Sequence, residues 1–407
     1  MTIVNRKAAI LLFIASIGCA LAADEKSPPS VDCTATNTSC PEIAVAGADI
    51  ARLADGTPSI FHGMADPVMR AELGSKTIWY AYSSPSAGVY PAAPGSAKLG
   101  FTVDIKYARS DDGGQTWRDM GTLWPSTPES DPASGVAGRS VSEVANFVPY
   151  RMGGKSGWYG THLSYLIPEV GGARAMSVSS FRIYLMRAAT VPELARAPSA
   201  IIGGAGTSAG WGVAYDFSKL SDEASHCAGW SEPALYVANR QLYIALRCYW
   251  VEPGAPRDTP IMIFSAPLQE DILKLHWQYR GILASRKEAL ELEIPGAVAF
   301  TEVELATGRD GQLLAILQPD HGNDPVTHED IHYGCRVFEV ASLDHPSLKR
   351  DANGKLIIRA VATASDNVDG PSSCGYDAAS ATGLVISRKD RHPPAQEMTV
   401  NLTGLKP

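Results

Sequence analysis

Five acidic residues recur along the chain, each in a short, largely apolar stretch: Asp66, Glu143, Glu232, Glu302 and Asp377. Successive acids stand 77, 89, 70 and 75 residues apart. Their contexts are Met64-Ala65-Asp66-Pro67-Val68, Ser142-Glu143-Val144-Ala145-Asn146, Ser231-Glu232-Pro233-Ala234-Leu235, Thr301-Glu302-Val303-Glu304-Leu305 and Tyr376-Asp377-Ala378-Ala379-Ser380. If the fold brings these copies together, crowded carboxylates raise one another's pKa values, so that one can hold a proton near neutral pH while another stays ionised. A pair split in this way supplies an acid and a base or nucleophile, which is what cleavage of a glycosidic bond needs. The competing use is structural. Acids at strand starts can cap backbone groups or pair with arginines, and Arg70, Arg139, Arg247 and Arg336 are available for that. The same arginines could hold a carboxylated sugar through paired hydrogen bonds.

Whether the acids meet depends on the elements around them. In the first four copies a second strand follows, centred on Ile78–Tyr82, Gly157–Thr161, Gln241–Ala245 and Gln312–Ile316. Third strands are expected at Phe101–Ala108, Phe181–Ala188, Ile261–Ala266 and Cys335–Ala341. Fourth strands are expected at Trp117–Leu123, Ala200–Ile202, Trp277–Leu283 and Leu356–Val361. The fifth copy is short, with Thr382–Ser387 and Met398–Leu402, and should borrow a strand from the region between Glu42 and Ile60. Four short antiparallel strands repeated about five times predict an all-β, five-bladed β-propeller of four-stranded antiparallel blades. Ring closure by strands from both chain ends also removes exposed sheet edges. Helix is confined to single turns near Val191–Arg196 and Gln269–Leu275. The segments are read as a leader over 1–22, an N-terminal segment over 23–57 that partly contributes a closing strand, and the propeller over 58–407. A pair of β-sandwiches is the alternative architecture.

One turn carries a specific pattern. Ser110-Asp111-Asp112-Gly113-Gly114-Gln115-Thr116-Trp117 fits S-x-D-x-G-x-T-W at every fixed position and resembles the Asp-box of sialidase-like propellers. The resemblance implies a structural hairpin away from any active site, with Asp112 accepting turn N–H groups and Gly114 free to take a positive φ. Only the first blade has it.

The acids carry a second resemblance. The chain looks like the five-bladed propeller glycoside hydrolases of families 43 and 32, which place an Asp on the first blade and further acids on the second and third. That likeness implies Asp66 as base or nucleophile, Glu232 as general acid and Glu143 as a modulator that orients the sugar. Two departures stand out: the second acid is Glu where those families usually keep Asp, and Pro233 follows Glu232 directly. Arg70, Arg139, Trp230, Arg247, Glu302, Arg336, Tyr376 and Asp377 are then expected to bind substrate. A sialidase-type exo-glycosidase using Tyr376 and an arginine cluster is the second reading. Against it, Phe181-Arg182-Ile183-Tyr184 only approximates that family's Phe-Arg-Ile-Pro. A propeller that binds a glycan or protein without catalysis is the third. Trp230 and Tyr249-Trp250 could stack on sugar faces, whereas Trp79 and Trp158 are expected in the core.

Composition narrows the setting. The 407 residues carry a formal net charge of -8, so no basic face for nucleic acid is expected. Arg6 and Lys7, the apolar run Ala8–Ile17 and Ala20-Leu21-Ala22 read as an export signal cleaved after Ala22, in preference to lipid attachment at Cys19. No later segment is apolar and long enough to span a bilayer. Setting Cys19 aside leaves Cys33, Cys40, Cys227, Cys248, Cys335 and Cys374, an even number that suggests disulfides in an oxidising compartment. Position favours Cys33 with Cys40 and Cys227 with Cys248, leaving Cys335 and Cys374. His321, His328 and His332 cluster with Asp320, Asp324, Glu329 and Asp330, but their spacing fits no standard metal pattern. No phosphate loop or dinucleotide fingerprint occurs. The expected protein is exported, monomeric and without cofactor, and its partner is a carbohydrate or glycoconjugate.

Overall fold

Apolar runs such as Ile78–Tyr82 and Leu242–Leu246 are buried along their whole length, so these strands are covered on both faces of their sheets. The computed structural model describes residues 27–48, 59, 61–91, 97–168, 178–250, 259–321, 331–366, 372–392 and 395–407. They form five antiparallel blades around one axis. Blade 1 contains Ala65–Ala71, Ile78–Pro91, Ala97–Ser110 and Trp117–Trp124 from the axis outwards. Blade 2 contains Ala137–Met152, Lys155–Pro168, Arg182–Ala188 and Ser199–Gly203. Blade 3 contains Cys227–Ala238, Gln241–Trp250, Ile261–Pro267 and Gln278–Ala284. Blade 4 contains Ala299–Thr307, Leu313–Asp320, Cys335–Ser342 and Ile358–Thr363. Blade 5 has a short inner strand, Cys374–Gly375, followed by Val385–His392 and Ala395–Leu402.

The N-terminal segment supplies edges that the C-terminal half lacks. The backbone at Pro41–Ile43 runs antiparallel to Ala395–Leu402: Ile43 N–H donates to Val400 O at 2.8 Å, and Leu402 N–H to Pro41 O at 2.8 Å. Ser30–Asp32 adds a parallel strand outside blade 4, and Val45–Ala46 one outside blade 1. One segment thus clasps three consecutive blades at the point where the ring closes, covering edges that would otherwise template aggregation.

Five apolar cores fill the seams between blades. Trp230, Phe264 and Leu185 belong to the seam of blades 2 and 3, and Phe300, Phe338 and Ile263 to that of blades 3 and 4. Leu314, Tyr376 and Ile386 join blades 4 and 5, Tyr80 and Val400 join blades 5 and 1, and Trp79, Phe147 and Trp158 join blades 1 and 2. Trp79 and Trp158 are core residues, as expected from their strand positions.

All six remaining cysteines pair. Cys33–Cys40 closes a loop of the N-terminal segment, Cys227–Cys248 joins the inner and second strands of blade 3, and Cys335–Cys374 ties blade 4 to blade 5. No helix among the described residues is long and apolar enough to cross a membrane. The segment expected to be a leader, with Cys19, lies outside the described residues.

The Ser110–Trp117 turn is a hairpin closed by its own side chains. The Asp112 carboxylate accepts from Gln115 N–H, Thr116 N–H and Thr116 Oγ1, and Ser110 Oγ is 2.7 Å from it. Those donors hold its pKa well below the usual carboxylate range. Gly113 and Gly114 both take a positive φ there. The turn joins the two outer strands of blade 1, and the Gly113 carbonyl accepts the N–H of Ala381 at 2.7 Å.

Candidate functional site

Every inner strand of blades 1 to 4 slips register near its acid. In blade 1, Asp66 and Pro67 lie between the paired residues Ala65 and Val68. In blade 3, Glu232 and Pro233 lie between Ser231 and Ala234, and in blade 4, Thr301 and Glu302 lie between Phe300 and Val303. In blade 2 the inserted residue is Val144, between Glu143 and Ala145. β-Bulges of this kind re-aim a side chain out of the pleat. Asp66, Val144 and Glu232 all sit in the left-handed region, at φ 49°, 48° and 52°. Such a conformation costs on the order of 1–3 kcal/mol per non-glycine residue and is tolerated where the surrounding packing over-determines it. For a β-branched valine it is a marked outlier. Counted from the last paired residue, Asp66 and Glu232 come first, Glu143 is that residue itself and Glu302 comes second. The bulges deliver acids from three different register positions to one place.

That place is a pocket of about 170 Å³ at one end of the axis, lined by Asp66, Glu143, Glu232 and Glu302 together with Arg247 and Tyr249. Tyr165, Phe181 and Ile167 form an apolar side wall. Tyr165 O–H donates to Glu143 Oε2 at 2.7 Å, and the Tyr165 and Phe181 rings lie 5.4 Å apart. Arg247 lies over the Tyr249 ring, 5.1 Å from its centroid. Beneath the pocket the axis narrows to a void of about 20 Å³, walled by residues of all five blades.

The electrostatics centre on Asp66 and Glu302, which hydrogen-bond to each other. Burial pushes both carboxyls up. Glu302 rises further because the Asp66, Glu232 and Glu304 charges all disfavour its ionised form. At Asp66 the burial effect is opposed by hydroxyl donors from Ser83 and Ser373 and by the charge of His332. Glu302 therefore keeps the proton of the pair, and Asp66 is the more acidic partner. Burial raises Asp320 too, but His332, Arg247 and Thr301 outweigh it and hold that carboxyl below its ordinary value. His332 Nδ1 is 2.8 Å from Asp320 Oδ2, and Thr301 Oγ1 donates to the same carboxylate.

Several expected site residues lie elsewhere. Asp377 is not at the pocket. Its Oδ2 accepts the N–H of Ala71, at the end of the blade 1 inner strand opposite Asp66. The polar residue that blade 5 brings to Asp66 is Ser373. Arg70 is buried near that far end too, paired with Glu304 and donating to the carbonyls of Met69, Leu305 and Tyr376. Tyr376 is fully buried and gives its hydroxyl to the Pro407 carbonyl at 2.7 Å, so it faces neither pocket nor solvent. Its hydroxyl is not part of the pocket lining. Trp230 is 0% exposed with its indole N–H on Gly203 O, and serves the core rather than a sugar face. Arg336 is turned onto the carbonyls of Tyr333 and Cys335, and burial pulls its pKa down to about 10. Arg139 donates through Nε to Ser126 Oγ and is not part of the pocket lining. Of the four arginines, Arg247 alone lines the pocket.

Sequence reasoning passed over Ser83, Ser373 and Tyr165. Ser83 and Tyr165 sit in second strands, where nothing in spacing marks them. Ser372-Ser373 is a polar pair ahead of the last inner strand, and that was the available signal. His328 and its acidic neighbours lie outside the described residues. Among the described residues no group of three or more His, Cys, Asp or Glu side chains is arranged to hold a metal ion.

No protein-family model and no curated protein matches the chain. Similar solved structures are glycoside hydrolases. The family 43 endo-arabinanase from Bacillus licheniformis shows 14% identity and a TM-score of 0.45, over 83% of this chain and 93% of that one. The sucrose-6-phosphate hydrolase from Lactobacillus gasseri shows 12% identity and a TM-score of 0.43, over 85% and 58%. The α-L-arabinofuranosidase from Lactobacillus brevis shows 9% identity and a TM-score of 0.40, over 71% and 74%.

Proposed function

We propose that this protein is an exported glycoside hydrolase that cleaves a glycosidic bond with the carboxylates of its axial pocket. The observation that carries the reading is the convergence of Asp66, Glu143, Glu232 and Glu302, from four blades, on one pocket with an aromatic wall. Charges gathered at this cost, through bulges and left-handed backbone, fit a reaction that needs a proton donor and an acceptor side by side.

The roles follow from the reaction's needs. Acid and nucleophile or base must straddle the sugar's anomeric carbon, with carboxyls about 5–5.5 Å apart in retaining enzymes and about 6.5–9.5 Å in inverting ones. Asp66 and Glu302 touch through a hydrogen bond, so they form a single pole. Asp66 is its ionised member, the base or nucleophile, and Glu302 holds the shared proton. Glu232 then forms the other pole as general acid and protonates the leaving oxygen. Glu143, steadied by Tyr165, modulates Glu232 and orients the sugar against the Tyr165, Phe181 and Tyr249 wall. Three disulfides suit an oxidising compartment and agree with export.

The test is release of reducing sugar from polysaccharides and aryl glycosides by the mature protein, beside Asp66→Asn and Glu232→Gln. Each substitution should lower kcat/KM by about 10²–10⁴-fold with the melting temperature maintained. Activity that survives both changes rejects the reading. Binding to glycans without turnover of any substrate would replace it with a non-catalytic propeller.

A further inference from the structure

The hydrogen-bonded acids differ in their other partners. Asp66 receives two serine hydroxyls from different blades. Ser83, on the second strand of its own blade, is 1% exposed and accepts the N–H of Val144 at 3.0 Å, which leaves its proton for the Asp66 carboxylate. Ser373, from blade 5, accepts the Asp66 N–H at 3.1 Å and donates to Asp66 Oδ1 at 3.2 Å. Ser387 Oγ lies 2.6 Å from Ser373 Oγ and donates to the Ser373 carbonyl at 3.2 Å, which anchors Ser373 beside Asp66. Glu302 has like charges around it instead. The Thr301 hydroxyl beside it is committed to Asp320.

We propose that Ser83 and Ser373 are positioning residues that hold the shared proton on Glu302, leaving Asp66 ionised at the pocket floor. A hydroxyl stabilises a carboxylate it donates to, and two of them on one acid bias the pair in a single direction. Both serines also bond the bulges themselves: Ser373 fixes the left-handed Asp66 backbone, and Ser83 fixes the left-handed Val144 that follows Glu143. Among the described residues, the charged and titratable groups around Asp66 are Glu302 from blade 4, Glu232, Arg247 and Tyr249 from blade 3, Glu143 and Tyr165 from blade 2, Tyr80 from its own blade and His332. The placement of the proton stands on this geometry. Its use by Asp66 as base or nucleophile rests on the hydrolase reading above.

The experiment is a ¹³C NMR pH titration of the full mature chain labelled at Asp Cγ and Glu Cδ. Asp66 and Glu302 signals are assigned through Asp66→Asn and Glu302→Gln. In the Ser83→Ala/Ser373→Ala protein the Asp66 midpoint should rise by about one pH unit and that of Glu302 should fall. The pair titrates as a unit, so both steps must be followed. Ser83→Thr and Ser373→Thr, which keep the hydroxyl, should restore the midpoints. If a hydrolysed substrate is in hand, the acid limb of kcat/KM should move up with the Asp66 midpoint. An Asp66 midpoint unmoved in the double alanine protein overturns the proposal, whether or not the protein proves to be a hydrolase. A protein with no hydrolytic activity but the expected midpoints keeps the proton assignment and rejects only the catalytic reading.

Discussion

Glu302 and Glu304 stand two residues apart on one strand and face the same axis, Glu302 half-buried at the pocket and Glu304 buried, and their surroundings oppose each other. Glu304 meets Arg70, and that pair is closed by backbone carbonyls. Burial raises the Glu304 carboxyl to about 7, against the lowering pull of Arg70. Glu302 meets Asp66, with Glu232 and Glu304 adding like charge. One acid belongs to a neutralised structural pair in the narrow part of the channel. The other belongs to a proton-sharing pair open to a pocket. Residue type and strand position are nearly the same, so partner and access to the pocket separate scaffold from site.

The largest effect that tests this contrast is at the structural end. Arg70→Met should destabilise the fold by about 3–5 kcal/mol, because it leaves an uncompensated buried carboxylate. Chemical denaturation measures it, and the pH dependence of any activity should keep its shape. Adding Glu304→Leu should recover most of the loss, since a buried ion pair replaced by apolar side chains is often neutral. A single variant as stable as the parent would show that the two ends do not differ as described.

Next in size, Glu302→Gln should behave in the opposite way. It removes the proton shared with Asp66 and should lower activity on the order of a hundredfold, while stability stays level because a protonated, neutral carboxyl gives way to a neutral amide of the same shape. Paired kinetic and thermal measurements decide this. A stability loss with unchanged activity would place Glu302 in the scaffold with Glu304.

The smallest effect is a pH dependence. A carboxyl raised on folding binds more protons in the native state than in the unfolded one, so its contribution to stability is greatest below the unfolded pKa and declines as pH rises through the folded value. For Glu304 the decline runs from its ordinary pKa of 4.5 to about 7. Glu304→Gln should flatten this part of the stability curve. The Arg70→Met penalty should be larger at pH 8 than at pH 5, where Glu304 can take up a proton. Equal penalties at both pH values would argue against a charged Glu304.

The repeat of acids was legible because each copy opens a strand after a similar interval, and the propeller followed from the strands between them. Local features also came through: the hairpin at Ser110–Trp117, the pairing of Cys33 with Cys40 and of Cys227 with Cys248, and the core positions of Trp79 and Trp158. Register was not legible. A one-residue bulge changes where a side chain points without changing composition, so Glu143 aligned by spacing with Asp66 although Val144 holds the equivalent backbone position. Asp377 aligned by spacing too, but it lies past the inner strand that was expected to present it. Tyr376 and Trp230 were plausible ligands by type and neighbourhood, and burial assigned both to the core.

The sequence by itself determined the ring of five blades, the use of both chain ends to close it and the supply of acids to its axis. These follow from periodic patterning, which is local and repeated. Only the tertiary structure decided which acids meet: Asp66 with Glu302, Glu304 with Arg70, and Asp377 with a backbone amide. Those partners are separated by about 230 residues or more in the two side-chain pairs and by 306 in the third. A carboxyl's proton affinity is set by charges and donors within a few ångströms, and no pattern along the chain carries that distance.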